Sequence, residues 1–218
     1  MRLYLSSFRL GNHAHRITEL VGRERPRVLA VMNALDAIAV EKRQALYARL
    51  CGDLATIGCE PHELDLREYF ARPGQIGRAL SGCDLVWVNG GNAFTLRAAM
   101  RQSGFDEAIT SLLDADAIVY GGYSAGAVVA GPTLRGIDLV DSADPADALP
   151  LGYGPIITWE GLGLVPYAIA PHYRSDHFES KKMEDVVAYF ERHGVPYWAL
   201  RDGQVIVING RDEVVLDA

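Results

Sequence analysis

A serine in the middle of the chain stands in a setting that favours nucleophilic catalysis. Ser124 is the centre of the segment 122–126, Gly-Tyr-Ser-Ala-Gly, which follows an apolar run and precedes a run of small residues. This order predicts a strand, a sharp turn and a helix, and glycines on such a turn remove Cβ atoms that would clash. N–H groups at the helix N-terminus would stabilise an oxyanion. We predict Ser124 as a nucleophile; the alternative is a turn where helix and strand pack closely.

A serine nucleophile needs a base, and His172 is the predicted one. It follows the apolar run 164–170, and a residue just after a strand lies where a parallel sheet presents its ligand-binding edge. A neutral imidazole at this place would accept the serine proton. His177, five residues further in a predicted loop, is the rival candidate, and a packed loop histidine is the alternative explanation of His172.

The base in turn needs an acid that fixes its tautomer. Acidic residues are frequent in the irregular stretch between the predicted nucleophile and the predicted base. We favour Asp138, because Ile137 and Leu139 flank it and would hold it in a partly buried place. Asp141 and Glu160 stay open as alternatives, and each acid of this stretch also has the simpler interpretation of a solvated loop charge.

A second glycine-rich turn, the segment 89–92 with the sequence Asn-Gly-Gly-Asn, follows the apolar strand that precedes the serine strand. Two adjacent glycines let the backbone approach a ligand and point an N–H group at it. We predict the N–H groups of Gly91 and Ala125 as the oxyanion donors, and Asn92 as a substrate-binding residue. A plain turn between strand and helix, with an Asn cap, is the alternative.

Strands and helices must alternate to bring these turns together. Such alternation is typical of an α/β protein, with a doubly wound, mostly parallel sheet and helices on both faces. We expect a single domain, 1–218, in which the long irregular segment 131–163 contributes to function. Apolar runs and helical spacing predict buried strands at 27–32, 83–88 and 117–120 and helices at 40–57 and 105–113.

The composition excludes several classes of protein. With 21 Lys and Arg against 28 Asp and Glu, the net charge of −7 argues against nucleic acid and against a membrane surface as partners. The three cysteines lack the spacing of a disulfide framework or a zinc site, so we expect no metal, no cofactor and a cytoplasmic location. The sequence also lacks an apolar run long enough to span a membrane.

Several short motifs follow one another in the order 89–94 Asn-Gly-Gly-Asn-Ala-Phe, 123–127 Tyr-Ser-Ala-Gly-Ala, 131–133 Gly-Pro-Thr, 161–164 Gly-Leu-Gly-Leu, 171–173 Pro-His-Tyr and 200–203 Leu-Arg-Asp-Gly. With them, most of the chain resembles the peptidase E family of serine peptidases, the aspartyl dipeptidases, which are relatives of cyanophycinases. The resemblance implies the doubly wound fold of class I glutamine amidotransferases, with Ser124 in place of their cysteine nucleophile. It also implies His172 as base, an acid at or near Asp138, and Gly91 and Ala125 as oxyanion donors.

One motif of the strict aspartyl dipeptidases differs here. That group carries Gly-Glu-Thr-Arg soon after the histidine, and its arginine helps to bind the substrate aspartate, whereas residues 173–181 read Tyr-Arg-Ser-Asp-His-Phe-Glu-Ser-Lys. We assign substrate binding to Arg174, two residues past His172, with Lys181 and Arg135 as weaker candidates. An acidic substrate residue is expected only if such a cation reaches the pocket, because a buried carboxylate without a partner is costly.

Together, the motifs predict a small serine peptidase that hydrolyses short peptides through an acyl-enzyme, with Asp-X dipeptides among the candidate substrates. One alternative is an esterase or another acyl hydrolase with the same triad. Another is a non-catalytic binding module for a small molecule, although such a module would usually have lost one of the three groups. A homodimer is left open by the sequence.

Overall fold

A computed structural model describes residues 1–218, except for the side chain of Pro73. Its centre is a seven-stranded sheet, whose strands lie in the order β3 (Glu60–Glu63), β2 (Arg27–Val31), β4 (Leu85–Val88), β5 (Val119–Tyr123), β1 (Arg2–Ser6), β8 (Val205–Asn209) and β9 (Asp212–Leu216). The strands β1 to β5 run parallel, and β8 and β9 extend the sheet in antiparallel pairing. The predicted α/β class with a mostly parallel sheet is confirmed.

Helices cover both faces of this sheet. Successive strand residues point to opposite faces, so Tyr4 packs into one core and Leu5 into the other. The first two helices pack on the Tyr4 face and the others on the Leu5 face. Among the described residues, we find no helix that combines the length and the apolar character needed to cross a membrane. The helices are α1 (His15–Val21), α2 (Val40–Ala55), α3 (Ile76–Leu80), α4 (Ala93–Ser103), α5 (Phe105–Asp114), α6 (Ala125–Val128) and α7 (Ser180–His193).

The parallel register brings the two glycine-rich turns together. Val88 at the end of β4 lies opposite Gly122 of β5, and Ser6 at the end of β1 lies opposite Tyr123. The segment 89–92, Ser124 and the chain after β1 therefore leave the sheet at the same edge. The strand before Ser124 extends further than the sequence predicted, because both neighbouring strands pair with its glycines.

The strand before His172 belongs to a different sheet from the one we expected. β6 (Ala168–Ala170) pairs in parallel with β7 (Tyr197–Ala199), and these two strands form a separate small sheet. His172 therefore follows a parallel strand, as expected, but that strand belongs to the small sheet and not to the main one. The place beside β1 that a further parallel strand would take is occupied by β8, so β6 pairs with the strand that follows α7.

Candidate active site

Ser124 lies on a sharp turn between β5 and α6. Its φ of 48° and ψ of −118° are uncommon for a residue other than glycine, and the surrounding structure must hold such a conformation. The Ser124 N–H donates to the Ser6 carbonyl at 3.2 Å, and its own carbonyl accepts from Ala127 and Val128 at 2.9 Å each. Gly126 faces the carbonyl of Val88 so closely that a Cβ atom would clash. The turn leaves the Ser124 side chain partly exposed.

His172 is buried and oriented by an aspartate that the sequence analysis did not consider. Only 1% of His172 is exposed, and its Nδ1 lies 2.7 Å from Oδ1 of Asp202. Burial alone would raise the pKa of Asp202, but hydrogen bonds from His172 and Ser7, with the charge of His172, hold that pKa below its usual value. Asp202 is therefore an ionised partner that fixes the imidazole with Nε2 as the remaining nitrogen.

Ser7 joins the base and the acid through one hydroxyl group. It is fully buried, just after the end of β1. Its Oγ accepts from the backbone N–H of His172 at 2.8 Å and donates to Oδ1 of Asp202 at 2.9 Å. The N–H of Asp202 donates in turn to Oγ of Ser175 at 2.8 Å. These contacts fix the backbone of His172 and the carboxylate of Asp202 relative to each other.

The structure contradicts the choice of Asp138 as the acid. Its side chain is exposed, and its Oδ1 accepts from the backbone N–H of Gly136 at 2.9 Å, so it caps its own turn. The two alternatives also lie elsewhere: Asp141 accepts from the N–H of Ala93 at 2.8 Å, and Glu160 is exposed. The three predicted acids lie between Ser124 and His172 in the sequence. Asp202, which forms the hydrogen bond with His172, comes after both.

A signal for Asp202 was present in the sequence. It is part of the 200–203 motif, Leu-Arg-Asp-Gly, which supports the family resemblance. The structure explains its place, because β6 and β7 pair with Ala170 opposite Ala199. The residues that follow these two parallel strands therefore emerge at one edge, and both His172 and Asp202 are among them.

The segment 89–92 contributes backbone rather than side chains to the site. Gly91 has a φ of 140°, and a Cβ atom there would lie 2.5 Å from the carbonyl oxygen of Ala34, so the position needs glycine. Ala125 is the first residue of α6, where a helix leaves N–H groups without an acceptor. Gly91 lines the same pocket as Ser124. Their role as oxyanion donors stays a prediction.

Asn92 has a structural role instead of the predicted contact with substrate. Its Oδ1 accepts from the N–H of Thr95 at 2.8 Å and caps α4, and its Nδ2 donates to the carbonyl of Ser142 at 2.8 Å. Both polar atoms of the side chain are therefore engaged with protein groups. The expectation that Asn92 binds substrate does not agree with this geometry.

A pocket of about 530 Å³ opens over Ser124 and His172. One wall is formed by α2, and another is formed by the loop after His172, where Phe178 is 87% exposed. Pockets of this size accept small organic ligands and bury much of their surface. The residues from these two walls are Lys42, Leu46 and Arg49, and Asp176, His177, Phe178 and Glu179, and Ile38 just before α2 also lines the pocket.

His177 and Glu179 surround the imidazole of His172. The two rings stack with centroids 3.7 Å apart, and Oε2 of Glu179 lies 3.9 Å from Nε2 of His172. Burial and the charge of His172 lower the pKa of His177, which favours its neutral form. Ligand atoms of the three residues lie within 4.8 Å of one another, so these are the residues that could hold a metal ion. An ion there would occupy the nitrogen that the base needs.

Arg174 points away from the pocket. Its side chain is 59% exposed, its Nε lies 3.7 Å from Glu184, and its guanidinium lies 4.9 Å from the ring centroid of Tyr173. Arg135 lies over the ring of Trp159. The assignment of Arg174 as a substrate-binding residue does not agree with this geometry, because Arg174 is not among the residues that line the pocket. The cations that line the pocket, from α2, were missed by the sequence analysis.

The fold and these residues define an α/β protein with an arrangement typical of serine hydrolases, in which a carboxylate orients the histidine beside a serine turn. A family model described as Peptidase family S51 matches residues 6–216. The chain therefore belongs to peptidase family S51 and is a serine peptidase, as the resemblance implied.

Similar proteins carry related names. The chain is 32% identical to Peptidase E of Streptomyces coelicolor over 183 residues, which cover 82% of this chain and 68% of that protein. It is 29% identical to a probable alpha-aspartyl dipeptidase of Drosophila melanogaster over 147 residues, which cover 64% of this chain and 55% of the relative. A crystal structure assigned to peptidase E from Listeria monocytogenes EGD-e covers 100% of this chain and 98% of its own, at a TM-score of 0.77 and 22% identity. This structural likeness shows the fold.

Proposed function

We propose that this chain hydrolyses short peptides through an acyl-enzyme on Ser124, with His172 as general base and Asp202 as the acid that orients it. The observation that carries the proposal is the 2.7 Å hydrogen bond between His172 Nδ1 and Asp202. This bond leaves Nε2 as the proton acceptor, and His172 and Ser124 line one pocket.

In the first half of the reaction, Oγ of Ser124 attacks the scissile carbonyl carbon while its proton passes to Nε2 of His172. The carbonyl oxygen becomes an oxyanion, for which Gly91 and Ala125 are the proposed N–H donors. The C–N bond then breaks, and the imidazolium gives its proton to the leaving amine. Asp202, whose pKa lies below its usual value, stays ionised and stabilises the imidazolium.

In the second half, water attacks the acyl ester on Ser124 while His172 takes one proton from it. The ester C–O bond breaks, the proton returns to Oγ, and the carboxylic acid product leaves. The pocket of about 530 Å³ has room for a dipeptide or tripeptide, and the name of the Drosophila melanogaster relative, a probable alpha-aspartyl dipeptidase, agrees with a peptide of this length.

The test is hydrolysis of a defined dipeptide mixture, followed by mass spectrometry, for wild type, Ser124→Ala and Ser111→Ala. Ser111 is an exposed serine on α5 and serves as the matched control. We expect wild type and Ser111→Ala to release amino acids at equal rates and Ser124→Ala to release none above background. Hydrolysis of p-nitrophenyl acetate without any dipeptide cleavage would instead identify an esterase. Dipeptide cleavage by Ser124→Ala at the wild-type rate would refute the proposed nucleophile.

A further inference from the structure

The pocket has a cationic wall formed by one helix. Lys42, Leu46 and Arg49 of α2 line it, at spacings of four and three residues that place them on one helical face. Both charged side chains are exposed, and the same pocket contains Ser124 and His172. Two positive charges therefore face the space in which the proposed substrate would bind.

These two cations have no anionic partner of their own. On the same helix, Arg43 forms ion pairs with Asp36 and Glu63. Among the described residues, Lys42 and Arg49 form no ion pair within 4.0 Å, so their charges stay available to a ligand. An arginine without a carboxylate partner, at the wall of a pocket, is the group that most readily binds a carboxylate, because its planar fork donates two parallel hydrogen bonds.

Arg49 also lies close to the proposed reaction centre. It lines the same pocket as Tyr123, the residue immediately before Ser124. Burial raises the pKa of Tyr123, and the positive charge of Arg49 acts in the opposite direction. A ligand that reaches the guanidinium can therefore still contact the turn that carries Ser124.

A second wall of the pocket has the other sign of charge. Asp176 and Glu179, from the loop after His172, line the same pocket, and Glu179 lies near the base. A carboxylate on a bound molecule is repelled by this wall and attracted by the cations of α2. The charge distribution thus orients a substrate that carries a carboxylate.

We propose that Arg49, supported by Lys42, binds a carboxylate group of the substrate and is the specificity-determining residue of this pocket. The inference rests on the proposed function, because it takes short peptides as substrates. Two carboxylates of a short peptide fit the same chemistry, the side chain of an acidic first residue and the C-terminal carboxylate. In the simpler interpretation, both cations are only solvated surface charges. Substituting them would then change kcat/KM to the same extent on every substrate, or not at all.

The experiment compares wild type, Arg49→Gln, Lys42→Gln and the control Arg174→Gln, an exposed arginine outside the pocket lining. The substrates are Asp-Leu, Asn-Leu, which lacks only the side-chain charge, and Asp-Leu amide, which lacks only the terminal charge. We expect kcat/KM for Asp-Leu to fall by about 10-fold or more in Arg49→Gln, less in Lys42→Gln, and by less than about 2-fold in the control.

The three substrates separate the two sources of the carboxylate. If Arg49→Gln loses activity on Asp-Leu and Asp-Leu amide but keeps it on Asn-Leu, the residue binds the acidic side chain. If it loses activity on Asp-Leu and Asn-Leu but keeps it on the amide, the residue binds the C-terminus. An equal change on all three substrates, or none on any, would overturn the inference.

A binding measurement keeps this result separate from the proposed mechanism. The dissociation constants of the same three dipeptides are measured by calorimetry for Ser124→Ala and for the double variant Ser124→Ala/Arg49→Gln. We expect Asp-Leu to bind Ser124→Ala at least about 10-fold more tightly than it binds the double variant. Equal affinities, or no binding of any dipeptide, would overturn the carboxylate site. If only the assignment of the nucleophile is wrong, Ser124→Ala will still cleave dipeptides, and Asp-Leu will still bind it more tightly than it binds the double variant.

Discussion

Nδ1 of His172 and Oδ1 of Asp202 lie 2.7 Å apart although 30 residues separate them in the chain. β6 and β7 end side by side in parallel pairing, and α7 crosses between them. A parallel pair needs such a crossover, and both strands then present their following residues at one edge. The unit from β6 to β7 therefore assembles the proposed base and acid, while the main sheet supplies the serine turn.

Asp202→Asn is expected to lower kcat by about 10³ to 10⁴, because an amide cannot hold the tautomer that leaves Nε2 free to accept a proton. Asp138→Asn is the matched control, since that carboxylate is exposed and caps only Gly136. Steady-state kinetics on one dipeptide, with circular dichroism as a check of folding, measure both. Loss of activity in the Asp138 variant with retention in the Asp202 variant would reverse our correction.

Ser7→Ala removes the hydroxyl that bonds both the His172 backbone and Asp202. A buried N–H group without an acceptor costs about 1–3 kcal/mol, so we expect a lower free energy of unfolding in urea titrations. Because Ser7 positions the pair without lining the pocket, kcat should fall about 10-fold while KM stays within about 2-fold. A change in KM with kcat unchanged would place Ser7 in substrate binding instead.

His172→Ala should be as inactive as a variant without the nucleophile, with a loss of about 10⁴ or more in kcat. The rings of His177 and His172 stack with centroids 3.7 Å apart. Among the described residues, Asp202 forms a hydrogen bond with His172 and none with His177. We therefore expect His177→Ala to lose less than about 10-fold in kcat. Both variants are compared on the same dipeptide at saturating concentration. The reverse order of activity would show that the base is His177.

Burial raises the pKa of Asp141 to about 7, well above its ordinary value of 3.8. Between about pH 4 and about pH 7, the folded chain keeps a proton on Asp141 that the unfolded chain has lost. Folding stability therefore decreases as the pH rises through this range. Asp141→Asn keeps an acceptor for the N–H of Ala93 without the charge. We expect the variant to be more stable than wild type at pH 8, on the order of 4 kcal/mol, and equal near pH 4, in thermal unfolding. A constant difference at both pH values would contradict the raised pKa.

The elements around the serine could be predicted because their signals are local. The strand, the glycine turn and the helix at 119–128 are contiguous, and each residue type fits one place in that turn. The turn at 89–92 could be predicted for the same reason, although Asn92 caps α4 and does not bind substrate as predicted. Local periodicity also predicted α2 and α5 within a few residues.

The acid and the pocket cations could not be found in this way, because both depend on contacts between distant segments. Ile137 is buried and Leu139 is 43% exposed, and Asp138 between them bonds the backbone of its own turn, so apolar neighbours did not bury it. Arg49 lines the same pocket as Ser124 only because the fold brings α2 together with the turns after β4 and β5. Such placements follow from strand order, which local patterns do not encode.

The most direct test of the central claim is covalent labelling of the nucleophile with a fluorophosphonate, read by intact mass and by peptide mapping. Wild type should gain one adduct per chain, on Ser124, and lose dipeptidase activity in proportion to labelling. Ser124→Ala should stay folded, take up no label and lose about 10⁴ to 10⁶ in kcat, the usual cost of losing a triad member. An adduct on another serine, or more than about a tenth of the wild-type rate in Ser124→Ala, would contradict the account.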